Sequence, residues 1–145
     1  MPTVHKSAIV PRACETLFAL VDDVERYPEF LPWCARTRVV ERDERVTVAR
    51  IDIDYRGLKS HFVTRNAKEP PRRMTIELVE GPFEKLSGEW TFTPLGDAGC
   101  RAELRLDYEF AGSLLDVVLQ GVFGHIAATL VDGFVQRALS QPEAR

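Results

Sequence analysis

Charged and apolar residues alternate along the middle of this chain, and this alternation constrains the fold more than any other feature. Between residues 50 and 56 every second residue is charged, and the residues between them are Ile51, Ile53 and Tyr55. Residues 101–110 repeat the pattern with five charged and five apolar or aromatic residues. Successive side chains of a β-strand point to opposite faces. The sequence therefore predicts strands with one wet face and one dry face.

Turn-forming residues divide the chain between residues 35 and 110 into six strand-like segments. Residues 3–10 form a further segment, which ends at Pro11 because proline lacks the backbone donor that a strand uses. No repeat or low-complexity linker interrupts the series, so one antiparallel sheet of seven strands is predicted. The divisions fall at Asp43-Glu44, Gly57-Leu58, Pro70-Pro71, Gly81-Pro82 and Gly96-Asp97-Ala98-Gly99.

Three segments are predicted to be helical. Residues 12–24 carry apolar residues at helical spacing. Residues 27–34 combine two prolines with aromatic and aliphatic groups, which predicts a short helical turn with buried anchors. Residues 114–139 form the longest helix, and its apolar arc can cover the dry face of the sheet.

The apolar arc of the long helix is wider than contact with one sheet requires. Val117, Val131 and Val135 extend it and predict a second partner, which is the first helix in preference to a ligand or a membrane. We therefore predict one α+β domain over residues 1–145, with a strongly curved sheet wrapped around the C-terminal helix.

The composition excludes several classes of protein. A formal net charge of −3 supplies no overall basic field for nucleic acid, so DNA is not an expected partner. Three widely spaced cysteines indicate neither a disulfide framework nor a paired-cysteine zinc site, and they favour a reducing compartment. The amino terminus shows no signal-like apolar segment, and polar residues interrupt residues 114–135. The sequence therefore predicts a cytoplasmic protein without a membrane-spanning helix.

Several short motifs become recognisable when they are taken in this order along the chain. They are the segment Tyr27–Cys34 (YPEFLPWC), Gly81-Pro82-Phe83, the alternating Leu86, Gly88, Trp90 and Phe92, and the segment Phe134–Ala138 (FVQRA). Together they resemble the coenzyme Q-binding protein family of the START-like superfamily, which is also described as polyketide cyclase and lipid transport. A bacterial branch of this family is called ribosome association toxins. The resemblance covers about residues 3–139.

The resemblance implies a helix-grip fold, in which a curved seven-stranded sheet grips the C-terminal helix and encloses an apolar tunnel. It further implies non-enzymatic binding of ubiquinone, as a carrier or chaperone that supports respiratory electron transport. Ubiquinone is then the expected ligand, and no catalytic cofactor is expected. Transient contact with the inner membrane, as a peripheral protein, follows from the same resemblance.

An apolar ligand would contact the dry face of the sheet and the facing arc of the long helix, because most ligand pockets are apolar with a few polar groups. Tyr55, Tyr108 and Trp90 have polar tips that could bond the quinone oxygens, although a partner within the protein is the favoured interpretation for each. The same side chains could instead fill a solid core, and the curvature of the sheet decides between these interpretations. The candidate ligand-binding residues are Ile51, Ile53, Tyr55, Phe62, Met74, Ile76, Leu78, Leu86, Trp90, Phe92, Leu104, Leu106, Tyr108, Phe110, Leu119, Val122, Phe123, Ile126 and Leu130.

Catalysis is not predicted, because the dry face offers almost no ionisable side chain that could act as an acid, a base or a nucleophile. His61 falls on the face opposite Phe62 and is expected to face solvent. His5 and His125 have no other metal-binding side chain close by in sequence, so no metal site is predicted.

Two further motifs have a structural interpretation and a chemical one. Asp52 and Asp54 alternate with arginines, which favours an exposed ladder of charges over a catalytic carboxylate pair. Cys34 is interpreted as a small buried residue rather than a reactive thiol.

A rival function follows from the toxin branch of the family, namely binding to the large ribosomal subunit and blocking of subunit association. Contact with RNA would need a positive surface. The candidate cations are interspersed with Asp43, Glu44 and Glu69, which favours an ordinary mixed surface. A cyclase or dehydratase is the third class and ranks last, because no acid or base residues are visible. The candidate cations are Arg36, Arg38, Arg42, Arg45, Lys68, Arg72 and Arg73.

Overall fold

A computed structural model of the chain describes residues 3–110, 112 and 114–140, with the side chains of 114–117 and 119 left out. Seven strands, two α-helices and one 3-10 helix follow one another along the chain, as the sequence predicts. The strands are β1 Thr3–Val10, β2 Cys34–Arg42, β3 Val46–Tyr55, β4 Leu58–Glu69, β5 Arg73–Glu80, β6 Phe83–Leu95 and β7 Gly99–Phe110; the helices are α1 Cys14–Asp22, the 3-10 helix Val24–Glu29 and α2 Leu114–Ser140.

All seven strands form one antiparallel sheet in the order β1-β7-β6-β5-β4-β3-β2. Every pair of sequence neighbours from β2 to β7 is a hairpin, and β1 closes the far edge by pairing with β7. The β3–β4 hairpin turns at Arg56 and Gly57, whose φ angles of 53° and 84° are those of a two-residue turn with positive φ at both positions.

Irregular pairing bends the sheet around α2. The register shifts twice between β2 and β3, once between β4 and β5 at Val63 and Thr64, and once between β6 and β7 between Phe83 and Lys85. Such bulges bend a strand and increase its twist. The predicted curved sheet with a C-terminal helix is confirmed, and the architecture is the helix-grip arrangement.

The predicted sorting of side chains between the two faces of the sheet is confirmed. In β7, every second residue from Cys100 to Phe110 is buried, and the charged residues between them lie on the outer face. In β3, Ile51 and Ile53 are buried and Asp54 is exposed. The alternation arises because an antiparallel sheet with one face on the core keeps its other face in water.

The long helix α2 turns its buried side chains towards the sheet and α1. Phe123, Ile126 and Phe134 are buried, whereas His125 and Thr129 are exposed. Val131 is also buried, and α1 contacts α2. The packing of Val131 and Val135 against the first helix itself stays a prediction. The predicted contact of Val117 lies outside the described side chains. Among the described residues, no helix has the length and apolar character that crossing a membrane requires.

The segment Tyr27–Cys34 fastens α2 to the rest of the molecule. The ring of Phe134 lies edge-on to Tyr27 at 5.2 Å and to Phe30 at 5.3 Å between ring centroids. The hydroxyl of Tyr27 donates to the carbonyl oxygen of Val21 at the end of α1. These contacts confirm the predicted buried anchors.

The position of the short helical turn differs from the prediction. It spans Val24–Glu29 rather than residues 27–34, and α1 correspondingly ends at Asp22. Pro28 lies inside the 3-10 helix, and the helix ends at Glu29, three residues before Pro32.

Candidate functional site

A cavity lies between the inner face of the sheet and α2. Its volume is about 80 Å³. Strands β3 to β7 form its sheet wall, α2 forms its roof, and α1 and the YPEFLPWC segment close one end. Its lining residues are Val21, Tyr27, Trp33, Ile51, Phe62, Thr64, Asn66, Met74, Ile76, Leu86, Trp90, Leu106, Phe123, Ile126, Ala127, Leu130 and Phe134.

Many of the side chains that the sequence proposes for ligand binding lie around this cavity. A second, smaller cavity lies beside it and has further predicted residues in its wall. Phe62, Phe123 and Ile126 line both cavities. The predicted residues around the first cavity are Ile51, Phe62, Met74, Ile76, Leu86, Trp90, Leu106, Phe123, Ile126 and Leu130, and Ile53, Phe110 and Val122 line the second.

The remaining predicted residues lie elsewhere. Phe92 and Leu104 belong to the closely packed core, where they are 1% and 0% exposed. The ring of Tyr108 packs against Phe123, with 4.8 Å between centroids. Leu78 is half-buried near the end of β5. The side chain of Leu119 lies outside the described residues.

Tyr55, which the sequence also proposes as a ligand-binding residue, lies in a surface groove rather than in the cavity. Its ring is 5.6 Å from the ring of His125, and the guanidinium of Arg56 lies 5.2 Å above it. Trp33 belongs to the same groove as well as to the cavity wall.

Sequence reasoning missed several lining residues, above all the polar pair Thr64 and Asn66 on β4. Both side chains are buried, at 4% and 9% exposure. They share the inner face with Phe62, because they follow it at intervals of two residues. The alternation along β4 could therefore have identified them. The other missed residues are Val21, Tyr27, Trp33, Ala127 and Phe134.

The cavity has one polar end. The oxygen Oδ1 of Asn66 is fully buried and has no hydrogen-bond partner among the described residues. In the neighbouring strand β3, Thr47 pairs with Asn66 in register and donates its hydroxyl to Asp22 Oδ1 at 3.2 Å. The Nζ of Lys68 lies 3.3 Å from the carboxylate of Asp22. Polar side chains therefore cluster where β3 and β4 approach the end of α1.

The position of Lys68 corrects two sequence-based expectations. Its side chain is only 5% exposed and is paired with Asp22, so it does not contribute to a positive outer surface. It also places an ionisable group on the inner side of β4, where almost none was expected. Lys68 follows Thr64 and Asn66 at intervals of two residues, so it shares their face of β4. Its burial is tolerated because the carboxylate of Asp22 compensates its charge.

Two tyrosines and one cysteine in or near the cavity wall stay in their neutral forms at neutral pH. Burial raises the pKa of Tyr27 far above its usual range, and burial also raises the pKa of Tyr108. Burial raises the pKa of the Cys34 thiol to about 12, so the thiolate that a nucleophile needs is scarce at neutral pH. These groups bind and pack rather than transfer protons.

The histidines and the carboxylate pair lie outside the cavity. His61 Nε2 lies 2.9 Å from Glu80 Oε2 on the outer face, as expected for a solvent-facing residue. His5 pairs with Glu103 near the β1 edge. Within the part of the chain that the structure describes, no cluster of three or more His, Cys, Asp or Glu side chains could hold a metal.

Asp52 belongs to an exposed charge ladder, which confirms that prediction. It accepts hydrogen bonds from Arg36 at 3.0 Å and from Arg50 at 3.0 and 3.1 Å. Partial burial acts to raise the pKa of Asp52, but the bonds from both arginines hold it below its usual value. The carboxylate is therefore ionised and compensated on the outer face.

An apolar cavity roofed by a C-terminal helix can be compared with known families. The model of the family described as polyketide cyclase / dehydrase and lipid transport matches residues 10–135. This chain belongs to that family. The match confirms the superfamily that the sequence motifs indicate.

Two curated relatives carry the names of the two branches. The chain is 40% identical over 138 residues to the ribosome association toxin RatA of Vibrio cholerae, covering 95% of this chain and 96% of the relative. It is 26% identical over 137 residues to the mitochondrial coenzyme Q-binding protein coq10 of Schizosaccharomyces pombe, covering 91% of this chain and 84% of the relative. Neither relative is named as an enzyme, although the family includes cyclases.

A solved structure shows the shared fold. The Zhui aromatase/cyclase from a Streptomyces species superposes with a TM-score of 0.83 at 18% identity, covering 94% of this chain and 93% of that chain. At this identity the likeness concerns the fold alone.

Proposed function

We propose that this chain binds ubiquinone or a similar apolar isoprenoid lipid in the cavity between the sheet and α2, without catalysing a reaction on it. The role is that of a carrier or chaperone that supports respiratory electron transport. The observation that carries this proposal is the cavity itself, whose walls are aliphatic and aromatic except for a few polar tips. The name of the coenzyme Q-binding relative supports the choice of ligand.

The composition of the cavity suits such a ligand, because pockets for small molecules have mainly apolar walls. Such pockets commonly measure roughly 300–1,000 Å³, so this cavity of about 80 Å³ has to widen by movement of its lining side chains when a ligand enters. Transfer of an isoprenoid chain from water to this environment gains about 0.8 kcal/mol per buried CH₂ group. Phe62 and Leu130, which line the cavity, are only half-buried, and we assign the entry of the tail to their side of it.

The absence of an acid–base arrangement supports binding rather than catalysis. The Tyr27 hydroxyl is engaged with the Val21 carbonyl oxygen, and the buried thiol of Cys34 is protonated at neutral pH. General acid–base catalysis needs a group whose pKa lies near the working pH. The lining residues offer no such group.

Both tryptophans of the chain, Trp33 and Trp90, line the cavity, so intrinsic fluorescence reports on it directly. The test is a titration with decylubiquinone, a ubiquinone with a short saturated tail. The proposal expects saturable quenching of both tryptophans, because a ring in the cavity would contact them. Linear quenching, equal to that of free tryptophan under the same conditions, would contradict binding in the cavity.

Association with the large ribosomal subunit is the second candidate function. It is favoured by the name of the RatA relatives, which are 39–40% identical over nearly the whole chain. Several of the outer-face arginines are already paired: Arg73 Nε lies 2.6 Å from Glu89 Oε2, and Arg42 bonds Glu25. Arg36 bonds Asp52, but its side chain is 81% exposed, so it remains accessible to a phosphate.

The ribosomal candidate is tested by sedimentation with purified large subunits at low and high salt. Contacts with phosphates release counterions, so binding should weaken steeply as salt rises. Arg36→Ala should reduce cosedimentation, and Glu84→Ala is a matched exposed control on β6. No cosedimentation at low salt would reject this candidate.

A further inference from the structure

The polar end of the cavity contains a hydrogen-bond acceptor that the protein itself leaves unused. Asn66 is 9% exposed, and its Oδ1 atom is buried without a partner among the described residues. Buried polar groups are nearly always hydrogen-bonded, and one left without a partner destabilises the protein. An unused acceptor that lines a cavity therefore points to a donor on the occupant of that cavity.

The polar neighbours of Asn66 are directed elsewhere. Thr47, its partner in β3, uses its single hydroxyl proton on Asp22. The ammonium of Lys68, two residues further along β4, is directed to the same carboxylate. The carboxylate of Asp22 thus accepts the hydrogen bonds of Thr47 and Lys68, and neither bonds Asn66. Asn66 itself lines the cavity.

Burial shows which end of the cavity is closed. Thr47 pairs with Asn66 in β3, and Met74 pairs with Lys68, two residues beyond Asn66; both are 0% exposed. Phe62, at the other end of the lining stretch of β4, is half-buried. The four residue-to-residue steps from Phe62 to Asn66 span about 13 Å at roughly 3.3 Å per step. Asn66 therefore lies at the deep end, and the apolar walls lead from it to the mouth.

We propose that the ligand enters with its polar head first, and that a hydroxyl of this head donates a hydrogen bond to Oδ1 of Asn66. Thr64, two residues away on the same face, provides a second hydroxyl group beside the head. The ligand class is an apolar lipid with a hydroxylated ring or an alcohol at one end. This inference rests on the proposed function and deepens it, because it makes the reduced quinol the preferred form over the quinone.

The test compares decylubiquinol with decylubiquinone, which share one tail and differ in whether the ring oxygens carry protons. Equilibrium dialysis under nitrogen measures both dissociation constants for the wild-type protein, Asn66→Leu and Gln120→Leu. Gln120 is exposed on α2 and lies outside the cavity, so it controls for the loss of an amide. We expect the wild-type protein to bind the quinol about tenfold more tightly, as one hydrogen bond to a buried acceptor allows.

The variants decide the origin of the preference. The preference for the quinol over the quinone should disappear in Asn66→Leu, with equal dissociation constants for the two probes, and should persist in Gln120→Leu. A thermal melt of the empty proteins checks folding, and Asn66→Leu should melt no lower than wild type, because it removes an unpaired buried oxygen.

The possible failures are distinct. Equal binding of both probes to wild type, or a preference that survives in Asn66→Leu, overturns the hydrogen-bond assignment and leaves quinone binding in place. Binding of neither probe overturns the proposed function and this inference together.

Discussion

Gly88 of β6 lies so close to β7 that a Cβ atom on Gly88 would be 2.1 Å from the carbonyl oxygen of Arg105. This oxygen belongs to the backbone and has little freedom to move. Glycine at position 88 therefore permits the close approach of the two strands behind the cavity. The curvature that separates a cavity from a solid core depends on contacts of this kind.

The first prediction concerns this contact. Gly88→Ala should lower the free energy of unfolding by about 3 kcal/mol, because overpacking against backbone strains the sheet. Gly121→Ala is the matched control, since a Cβ there has no atom within 4 Å and alanine favours helix by about 1 kcal/mol. Urea denaturation should show opposite signs for the two variants. Equal stability of Gly88→Ala and wild type would contradict the close approach.

A second prediction addresses the cavity volume. Ala127 is buried in the cavity roof, so Ala127→Leu should fill part of the space and weaken decylubiquinone binding roughly tenfold while the protein stays folded. Ala128→Leu, one residue along α2 and outside the lining, is the control. The measurement is tryptophan quenching together with a thermal melt. Unchanged affinity in a folded Ala127→Leu protein would place the ligand elsewhere.

A third prediction concerns pH and the link between the 3-10 helix and β2. Hydrogen bonds from Arg42 at 2.7 and 2.9 Å lower the pKa of Glu25, against the smaller opposing effect of partial burial. The folded-state pKa lies below that of the unfolded chain, so the stabilisation is complete above about pH 4.3 and is lost as pH falls through the folded-state value.

Glu25→Gln tests this pH dependence. Because Glu25 is about half exposed, the variant should be only about 0.5 kcal/mol less stable than wild type at pH 7. The difference should vanish near pH 2, where the wild-type carboxyl is also neutral. Urea denaturation at both pH values measures it, with the exposed Glu44→Gln as control. A difference that persisted at low pH would show that charge is not its cause.

The fourth prediction concerns the three cysteines, which are all buried and free. Burial raises the pKa of Cys34 and of Cys100 to about 12. Iodoacetamide at pH 8 should therefore label no thiol rapidly in the folded protein and all three after unfolding in urea. Intact-protein mass spectrometry counts the added groups. Rapid labelling of the native protein at Cys34 would contradict its assignment as a buried structural residue.

The sheet could be predicted from the sequence because the alternation along β3 and β7 is local and needs no knowledge of distant residues. The cavity could not, since its volume depends on bulges and on the approach of Gly88 to Arg105. Polar residues on an inner face also interrupt the apolar pattern, and this concealed Thr64 and Asn66. Both residues nevertheless follow Phe62 at intervals of two, and this spacing predicts that they share its face of β4.

Lys68 shows a second limit of sequence reasoning. A lysine is usually exposed, and its partner Asp22 lies 46 residues earlier, at the end of α1. Only the fold brings the two together. The same limit applies to the YPEFLPWC segment. Its Tyr27 and Phe30 contact Phe134, which is more than 100 residues later in the chain, and only the folded position of α2 brings them together.

The most direct test of lipid binding is mass spectrometry of the lipids extracted from the purified protein, with an unrelated protein purified alongside as the control. The account predicts that ubiquinone or its quinol is enriched over the control, and that Ala127→Leu carries less of it. A protein that carries no more isoprenoid lipid than the control, and stays empty when quinone is supplied, would contradict the account and leave ribosome association as the function to test.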